Sequence, residues 1–469
     1  MNILLLNTFG LESSCERNIL FETEITGAFP PLGLGYVGNA LQEKGYPVLL
    51  LDNKIEKLSA DKLVQRLRTI KPDIVLLSGT TFSWPAVRIA ASFVKNVCPS
   101  CRVGVGGPHL SLYPEKAIAD EAIDFGVYGE GEKTIVEVAG AIASGRPFDD
   151  IKGLVYKKNG VIIVNDRRGV IEDLDAVGFP RPELYNYKKY RVVSVRNPFF
   201  PIVTSRGCPF HCTFCYQGYS APYRERSPEN VVEELECLVN NYGIREIVFF
   251  DDTFAVNTQR AIQICEGIIK KNLKFRWDIR TRVGLLTKEL LTALKKAGCY
   301  RLNIGIESGN DHILEKMNKG CTVGDVVRVC RLAKKYDFDL RGYFILGFPG
   351  ESLADMKRTI DFARRLPLDW ASFTNMVGAP GARVYIEALD SGYFPDDFWD
   401  TYAHGKIGTM DKQLPYFIPE HMSLEALIRL RWTAYAKFYL RPGTIAGLIN
   451  KDNVVSAASN LFRLGRVIR

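Results

Sequence analysis

The chain has 469 residues, 46% of them hydrophobic and 24% charged, which are the proportions of a globular protein with a large buried core. Its net charge of +8 is small for this length and favours neither nucleic acid nor a membrane as a partner. The N-terminus has no basic region or small-residue cleavage site, and no apolar run reaches the about 18 residues of a membrane span. The eleven cysteines are irregularly spaced outside one stretch, so they predict no disulfide framework and a cytoplasmic protein is expected.

Strands and helices alternate over residues 1–145. Apolar runs typical of buried strands lie at Ile3–Asn7, Val48–Asp52, Ile74–Ser78, Arg102–Gly106 and Phe125–Tyr128. Helical patterns separate and follow them at Leu34–Lys44, Ala60–Ile70, Ala86–Val97, Pro114–Asp120 and Lys133–Ala143. This alternation predicts an α/β domain whose parallel sheet is covered on both faces, and five strands fit a flavodoxin-like, doubly wound order.

Small and polar residues follow the carboxyl ends of three of these strands, where a doubly wound sheet binds its ligand. They are Thr80, Thr81, Gly106, Gly107, His109, Gly129 and Glu130. Glycine at such a position lets a ligand approach the backbone closely, but glycine is also common in ordinary loops. Both interpretations stay open from these residues alone.

Residues 146–199 are predicted to connect two domains. Asn159-Gly160 lies between two apolar runs and is the strongest short signal for a two-residue hairpin turn. A tyrosine-rich segment, Tyr185–Tyr190, is typical of a linker that wraps along the protein surface.

The alternation of strands and helices resumes over residues 200–384. Strands are predicted at Ile202–Ser205, Glu246–Phe250, Arg276–Ile279, Arg301–Ile306, Arg341–Leu346 and Ser372–Met376. Helices are predicted at Glu229–Asn240 and at Lys288–Ala297, the second with Thr287 as its N-cap. Six such units predict a partial parallel barrel, followed over residues 385–469 by a mostly helical cap.

The segment Cys208-Pro-Phe-His-Cys212-Thr-Phe-Cys215 carries three thiols in a C-x3-C-x2-C spacing. Iron–sulfur clusters are bound by cysteine thiolates, and a four-iron cluster usually binds four of them. Three cysteines therefore leave one iron open for an exogenous ligand. The alternatives are a zinc loop or three unrelated core cysteines; zinc sites usually need four ligands in two separated pairs. Cys98 and Cys101 form a second C-x2-C, but no further pair accompanies them.

This loop, with Phe29-Pro-Pro-Leu-Gly-Leu-Gly-Tyr-Val-Gly, Gly106-Gly-Pro-His109 and Tyr128-Gly-Glu-Gly-Glu132, resembles the cobalamin-binding-domain-containing radical SAM enzymes over residues 1–385. The resemblance implies a 4Fe-4S cluster on Cys208, Cys212 and Cys215 whose open iron binds S-adenosylmethionine (SAM). It also implies cobalamin over the first sheet, without a protein histidine on cobalt because the chain has no D-x-H-x-x-G motif.

Polar residues at the carboxyl ends of the barrel strands are the candidates for binding SAM, since parallel barrels build their sites there. Together with Phe214, which resembles the aromatic residue beside the adenine, the candidates are Asp252, Arg280, Glu307, Ser308, Gly347 and Glu351. Arg280 suits the SAM carboxylate, and Glu307 suits its ammonium group or ribose hydroxyls. About a third of such residues are expected to be structural, because ion-pair networks also occupy barrel mouths.

The expected reaction is hydrogen abstraction from an unactivated carbon of a small molecule, with cobalamin-dependent C-methylation as the main hypothesis. Cyclisation, rearrangement or elimination stay open, as does a non-catalytic cobalamin-fold binding protein. A tRNA methylthiotransferase would need three further cluster cysteines, whereas the N-terminal region offers only the badly spaced Cys15, Cys98 and Cys101.

The expected partners are a small-molecule substrate and an external electron donor such as flavodoxin or ferredoxin, without nucleic acid. Aromatic residues after the last barrel strand are predicted to close over its mouth: Phe394, Phe398, Trp399, Tyr402, Tyr416, Phe417, Trp432 and Tyr435. The basic end of the tail leaves peripheral membrane contact open.

Overall fold

The computed structural model describes residues 1–7, 27–192, 194–216, 222–404 and 414–441. Cys15 and the last part of the basic tail, residues 442–469, therefore lie outside the described residues. No helix of the described residues is long and apolar enough to span a bilayer.

The first sheet has seven strands in the order β2-β1-β3-β4-β5-β6-β7, and its first five strands are parallel. Its strands are β1 (Ile3–Asn7), β2 (Val48–Asp52), β3 (Ile74–Ser78), β4 (Arg102–Gly106), β5 (Phe125–Val127), β6 (Leu154–Lys158) and β7 (Val161–Val164). The helices around it are α1 (Leu32–Glu43), α2 (Asn53–Glu56), α3 (Ala60–Ile70), α4 (Trp84–Val97), α5 (Pro108–Leu112), α6 (Pro114–Ile118) and α7 (Gly131–Ser144). The order of β1 to β5 confirms the flavodoxin-like prediction.

The hairpin β6–β7 extends this first sheet instead of standing in a separate linker. Asn159 has φ 53° and Gly160 has φ 78°, so both turn residues adopt the left-handed conformation that a type I′ hairpin requires. Strand β6 pairs antiparallel with β5, from Phe125 with Tyr156 to Val127 with Leu154. The turn prediction is confirmed, but the pairing with β5 was not predicted.

The second sheet has six strands in the order β15-β14-β13-β12-β11-β8, and all of them are parallel. They are β8 (Phe199–Ile202), β11 (Glu246–Phe249), β12 (Arg276–Arg282), β13 (Cys299–Glu307), β14 (Asp339–Leu346) and β15 (Trp370–Asn375). Its helices are α8 (Pro228–Asn240), α9 (Thr258–Lys270), α10 (Lys288–Lys296), α11 (Asp311–Lys316), α12 (Val323–Lys335), α13 (Leu353–Arg365), α14 (Arg383–Asp390), α15 (Phe398–His404) and α16 (Leu424–Tyr439). Consecutive parallel strands with intervening helices make the predicted partial barrel.

Local capping explains where several barrel helices begin. The side chain of Thr287 accepts a hydrogen bond from Leu290 N at 3.2 Å and so caps α10, as predicted. Strand β8, by contrast, ends three residues before its predicted end. The buried carboxylate of Asp251 accepts hydrogen bonds from Thr204 N at 2.5 Å and Ser205 N at 2.8 Å, which takes these residues out of the sheet.

Helix α16 packs against β15, the edge strand of the barrel sheet. Tyr435 Oη accepts a hydrogen bond from Phe373 N at 3.2 Å, and Tyr439 Oη donates one to Ala371 O at 3.0 Å. Leu427 and Phe438 are buried in the barrel core. Trp432 and Tyr435 therefore lie on a helix that covers a sheet edge, and the prediction that they close the barrel mouth is wrong.

Candidate active site

The three-cysteine loop leaves the barrel between two short strands, β9 (Ser205–Arg206) and β10 (Arg224–Glu225), which pair antiparallel. The loop is also held by neighbouring elements. Thr213 N donates to Met317 O at 3.1 Å, and Asn318 Nδ2 donates to His211 O at 2.8 Å. This loop, which we call the cysteine loop (residues 207–216), thus has a fixed place at the carboxyl end of the barrel.

The thiols of the cysteine loop have different surroundings. Cys212 is buried, and its Sγ accepts a hydrogen bond from Arg282 Nη1 at 2.9 Å. Cys208 Sγ lies 3.6 Å from Thr253 Oγ1. Cys215 is exposed, but partial desolvation of its sulfur, with the nearby Cys212 and Asp252, raises the pKa of its thiol to about 11, so a bound metal would have to displace its proton. In number and kind, three thiols on one loop match the donor set of an iron–sulfur cluster with one open iron. Within the described residues the three side chains are not gathered into a metal-binding group.

Arg280 and Arg282 point to the same side of the sheet because they are two residues apart on β12. The guanidinium of Arg280 lies 4.4 Å from the ring centre of Phe250, and its Nη1 donates to Phe249 O at 3.0 Å. Arg280 also interacts electrostatically with Asp252, which follows β11. The structure therefore brings two of the predicted SAM-binding side chains together.

Glu307 ends β13 in a strained conformation. Its φ of 69° is left-handed, which costs a residue other than glycine of order 1–3 kcal/mol. Its carboxylate forms a buried ion pair with Lys319 Nζ at 2.7 Å. Ser308, the next residue, is buried and lies 3.2 Å from Thr359 Oγ1, so its hydroxyl takes part in internal packing. The strain and the buried charge mark Glu307 as the stronger functional candidate of the two.

An ion-pair cluster joins the cysteine loop's base to the first sheet. Glu130, just after β5, accepts hydrogen bonds from Arg206 Nη1 at 3.0 Å and from Arg224 Nη1 at 2.9 Å. Arg206 Nη2 also donates to Glu132 Oε1 at 2.5 Å. We call these four side chains the interdomain clasp. Burial alone would raise the pKa of Glu130, but hydrogen bonds from Arg224 and the Ile171 amide, with the charge of Arg206, lower it.

The loops after β3 and β4 lie side by side at the carboxyl edge of the first sheet. Gly107 has φ 98°, and a Cβ there would meet Gly79 O at 2.8 Å, so the backbone itself requires this glycine. Gly106 is different: of the described atoms, an added Cβ would meet only Val127 O, at 3.5 Å. Gly129 has φ 81° and no described atom within 4 Å of an added Cβ. Gly106 and Gly129 therefore leave room for a ligand at this edge.

The structure places three other predicted crevice residues in internal contacts. His109 is fully buried, with its ring 4.4 Å from Trp84 and its Nδ1 3.2 Å from Thr81 Oγ1. Burial and the neighbouring His404 lower the pKa of His109 to about 3, so it is neutral. Thr81 is buried by the same contact, and the carboxylate of Glu130 is held in the interdomain clasp. The side chains of His109, Thr81 and Glu130 therefore make contacts within the protein and do not line the crevice.

The family of the chain follows from comparison with known proteins. Residues 202–363 match the family model of the radical SAM superfamily, and residues 21–139 match that of the B12 binding domain. An uncharacterized methyltransferase of Pyrococcus horikoshii is 35% identical over 416 residues, which cover 88% of each chain. The chain belongs to the radical SAM superfamily. It is a radical SAM enzyme with a B12-binding domain, and a 4Fe-4S cluster, SAM and cobalamin are its cofactors.

The chain is also similar to an anaerobic cyclase in sequence and to a solved methyltransferase in fold. The anaerobic magnesium-protoporphyrin IX monomethyl ester cyclase of Rubrivivax gelatinosus is 31% identical, covering 92% of this chain and 77% of the cyclase. TsrM of Kitasatospora setae, a radical S-adenosylmethionine methyltransferase solved with cobalamin and a [4Fe-4S] cluster, has the same fold. Its TM-score is 0.75 at 19% identity, and the match covers 94% of this chain and 91% of TsrM.

In this radical SAM enzyme, Glu351 holds the loop that follows β14. Its Oε2 accepts hydrogen bonds from Gly347 N at 2.7 Å and from Phe348 N at 3.1 Å. Gly347 itself has φ 84°, which favours glycine. Burial raises the pKa of Glu351 from 4.5 to about 7, although these two backbone bonds oppose the shift. Glu351 is thus a loop-shaping carboxylate, and its other oxygen is buried without a hydrogen-bond partner among the described residues.

We expect Glu351→Gln to remove a pH dependence of the enzyme's stability. The folded chain holds the Glu351 proton more tightly than the unfolded chain, so this contribution is full below pH 4.5 and is lost as pH rises to about 7. At about 1.4 kcal/mol per pKa unit, the loss is about 3 kcal/mol. Glutamine stays neutral and keeps the accepting oxygen. The free energy of unfolding, measured without SAM at pH 5 and pH 8, should change less in the variant; parallel profiles of variant and wild type would rule this out.

Sequence reasoning missed the interdomain clasp, the contact between Arg282 and Cys212, and the ion pair of Lys319 with Glu307. The partners in the first two contacts are far apart in the chain, those in the third are 12 residues apart, and none of the three has a periodicity or spacing of its own. The two glutamates of Tyr128-Gly-Glu-Gly-Glu132 were the available signal for the clasp. Cys101, from the lone C-x2-C pair, is buried in the core of the first sheet, and burial raises its pKa to about 12.

Proposed function

We propose that this radical SAM enzyme performs cobalamin-dependent methylation of an unactivated carbon in a small molecule. The observation that carries the proposal is the interdomain clasp. Arg206 lies two residues before Cys208, and Glu130 directly follows Gly129 at the crevice of the first sheet. The clasp therefore holds the cysteine loop against the edge of the sheet where cobalamin is expected, as transfer between two cofactors requires.

We propose Cys208, Cys212 and Cys215 as the cluster ligands. When bound, the cluster and SAM would supply a carbon radical that abstracts hydrogen, and cobalamin would supply the methyl group. The chain's own side chains bind and orient these groups. Arg280 and Glu307 offer charges of opposite sign for the carboxylate and the ammonium or ribose of SAM, with Asp252 beside Arg280. Thr80, Gly106 and Gly129 border the proposed cobalamin crevice.

An aromatic cluster beside the cysteine loop supports a small, partly apolar substrate. Phe214 of the loop packs with Phe348 of the β14 loop, and the cap adds Tyr385, Trp399 and Phe417. The four cap and β14-loop side chains are buried and Phe214 is partly buried, so the cluster offers the cysteine loop an apolar wall and not an open pocket. A further TsrM structure contains tryptophan as substrate and a SAM analogue, which is consistent with this size of ligand. An external electron donor such as flavodoxin or ferredoxin and a cytoplasmic location complete the proposal.

A second candidate reaction is ring closure without methyl transfer. It is favoured by the identity of 31% with the anaerobic cyclase over most of this chain. Cyclisation would use the same cluster ligands and the same SAM-binding residues. The two candidates differ in one product, because only a methyl transfer converts SAM to S-adenosylhomocysteine.

We expect Gly106→Leu to prevent cobalamin binding while leaving the cluster intact. The fold accommodates a side chain at this position, since an added Cβ meets only one described atom, but the side chain would occupy the crevice. After anaerobic addition of hydroxocobalamin and gel filtration, the wild type should retain about one equivalent and the variant little.

Gly140→Leu is the matched control. Gly140 lies nine residues beyond the start of α7, about 14 Å along the helix, and of the described atoms an added Cβ would contact only Tyr46 Oη, at 3.8 Å. This variant should retain cobalamin. Equal retention by both variants would contradict the proposed crevice, and no retention by the wild type with its cluster intact would contradict the proposed methylation.

A further inference from the structure

We propose that Arg282 raises the reduction potential of the cluster through a charged hydrogen bond to the sulfur of Cys212. The inference rests on the proposed function, because it takes Cys212 as a cluster ligand. It adds a redox-tuning residue from outside the cysteine loop, on the neighbouring strand β12.

The contact is direct and partly buried. Arg282 Nη1 is 2.9 Å from Cys212 Sγ, and Cys212 is only 9% exposed. A guanidinium is always charged and donates strong hydrogen bonds to an anionic acceptor. Because water is largely excluded from Cys212, salt and solvent screen the interaction much less than they would at the surface.

Two further contacts hold the guanidinium of Arg282 in this orientation. It stacks on the ring of Phe210, which lies between the first two cysteines, with a distance of 4.0 Å to the ring centre. Its Nη2 donates to Lys319 O. Because the strand, the ring and the carbonyl already fix the Arg282 side chain, it loses little further conformational freedom when it binds the thiolate.

The other cysteines and the neighbouring arginine show that the arrangement is specific to Cys212. Among the described residues, Cys208 and Cys215 hydrogen-bond with neutral groups, Thr253 Oγ1 at 3.6 Å and Tyr216 O at 3.7 Å. Arg280, two residues earlier on the same face, donates instead to Phe249 O. Of these two arginines, Arg282 is the one placed to act on the cluster.

The direction of the effect follows from charge. Reduction adds one electron to the cluster and makes its sulfur ligands more negative. A cation and a hydrogen-bond donor at a ligand sulfur stabilise the reduced state more than the oxidised state, so they raise the potential. Arg282 thereby makes it easier for an external donor to deliver the electron that SAM cleavage needs.

The test is a potentiometric titration of the reconstituted cluster, followed by electron paramagnetic resonance without SAM. Arg282→Gln loses the charge and should shift the midpoint to a more negative potential than the wild type. Arg282→Lys keeps the charge without the planar fork and should shift it less. Arg276→Gln, six residues earlier on β12 and about 20 Å away along the strand, should leave the midpoint unchanged.

Iron and sulfide content separates the possible failures. If Arg282→Gln and Arg282→Lys both assemble a full cluster and keep the wild-type midpoint potential, the inference is overturned. The same result is expected if Arg282 binds only SAM. A midpoint that shifts equally in Arg276→Gln also overturns it. Failure of the wild type to assemble any cluster would instead contradict the proposed function.

Discussion

Alanine at any one of Cys208, Cys212 or Cys215 is expected to abolish both the visible absorbance of the cluster and the formation of 5′-deoxyadenosine from SAM. Each thiolate is proposed to bind a different iron, and two cysteines from one loop are too few to hold a four-iron cluster. Each substitution should abolish the cluster and SAM cleavage completely, because alanine has no sulfur to bind the iron. Absorbance, iron and sulfide content, and chromatography of SAM products after anaerobic reconstitution measure it.

Cys330→Ala provides the control for this experiment. Cys330 is a buried core residue on α12, so alanine removes a thiol and leaves only a small cavity. This variant should assemble the cluster and cleave SAM. An alanine variant of Cys208, Cys212 or Cys215 that keeps a full cluster would show that the residue is not a ligand.

The second large effect is expected at the interdomain clasp. Glu130→Gln leaves the buried guanidinium of Arg224 and the partly buried guanidinium of Arg206 without the charge that both of them bind. Breaking a buried ion pair in this way costs about 3–5 kcal/mol. Denaturant-induced unfolding of the anaerobically reconstituted enzyme should show a loss of this size in the free energy of unfolding.

Glu387→Gln removes the same charge from an exposed pair. Glu387 accepts a hydrogen bond from Arg383 Nε at 2.7 Å across one turn of α14, and such pairs contribute about 0.3–0.5 kcal/mol. Arg224→Met combined with Glu130→Gln should cost less than the sum of the two single changes, because the pair acts as a unit. If Glu130→Gln is as stable as Glu387→Gln, the clasp does not hold the two sheets together.

Regular elements could be predicted from the sequence where local pattern alone decides them. Strands β1 to β4 have the predicted ends, because each is a five-residue, mostly apolar run in a parallel sheet that is covered on both faces. The end of β8 could not be predicted, because the distant carboxylate of Asp251 withdraws Thr204 and Ser205 from the sheet. The pairing of the β6 hairpin with β5 is likewise a contact between segments that no local pattern encodes.

The candidate site divides in the same way. Three thiols in a fixed spacing predict a cluster because ligand chemistry restricts the alternatives, so this part of the proposed site can be inferred from the sequence alone. The partners of polar residues could not be predicted. Glu130 was expected at cobalamin and binds two arginines, whereas Glu351 was expected at SAM and binds two amides of its own loop. A carboxylate at a strand end looks the same in sequence whichever partner it has.

The most direct test of the account is one chromatographic measurement of the nucleosides that the reconstituted enzyme makes from SAM. Enzyme with its cluster and cobalamin is incubated anaerobically with SAM and a strong reductant, and the same enzyme without cobalamin is run beside it. The account predicts 5′-deoxyadenosine in both samples and S-adenosylhomocysteine only in the sample with cobalamin. Formation of 5′-deoxyadenosine without any S-adenosylhomocysteine would contradict methyl transfer, and the absence of both would contradict radical SAM chemistry.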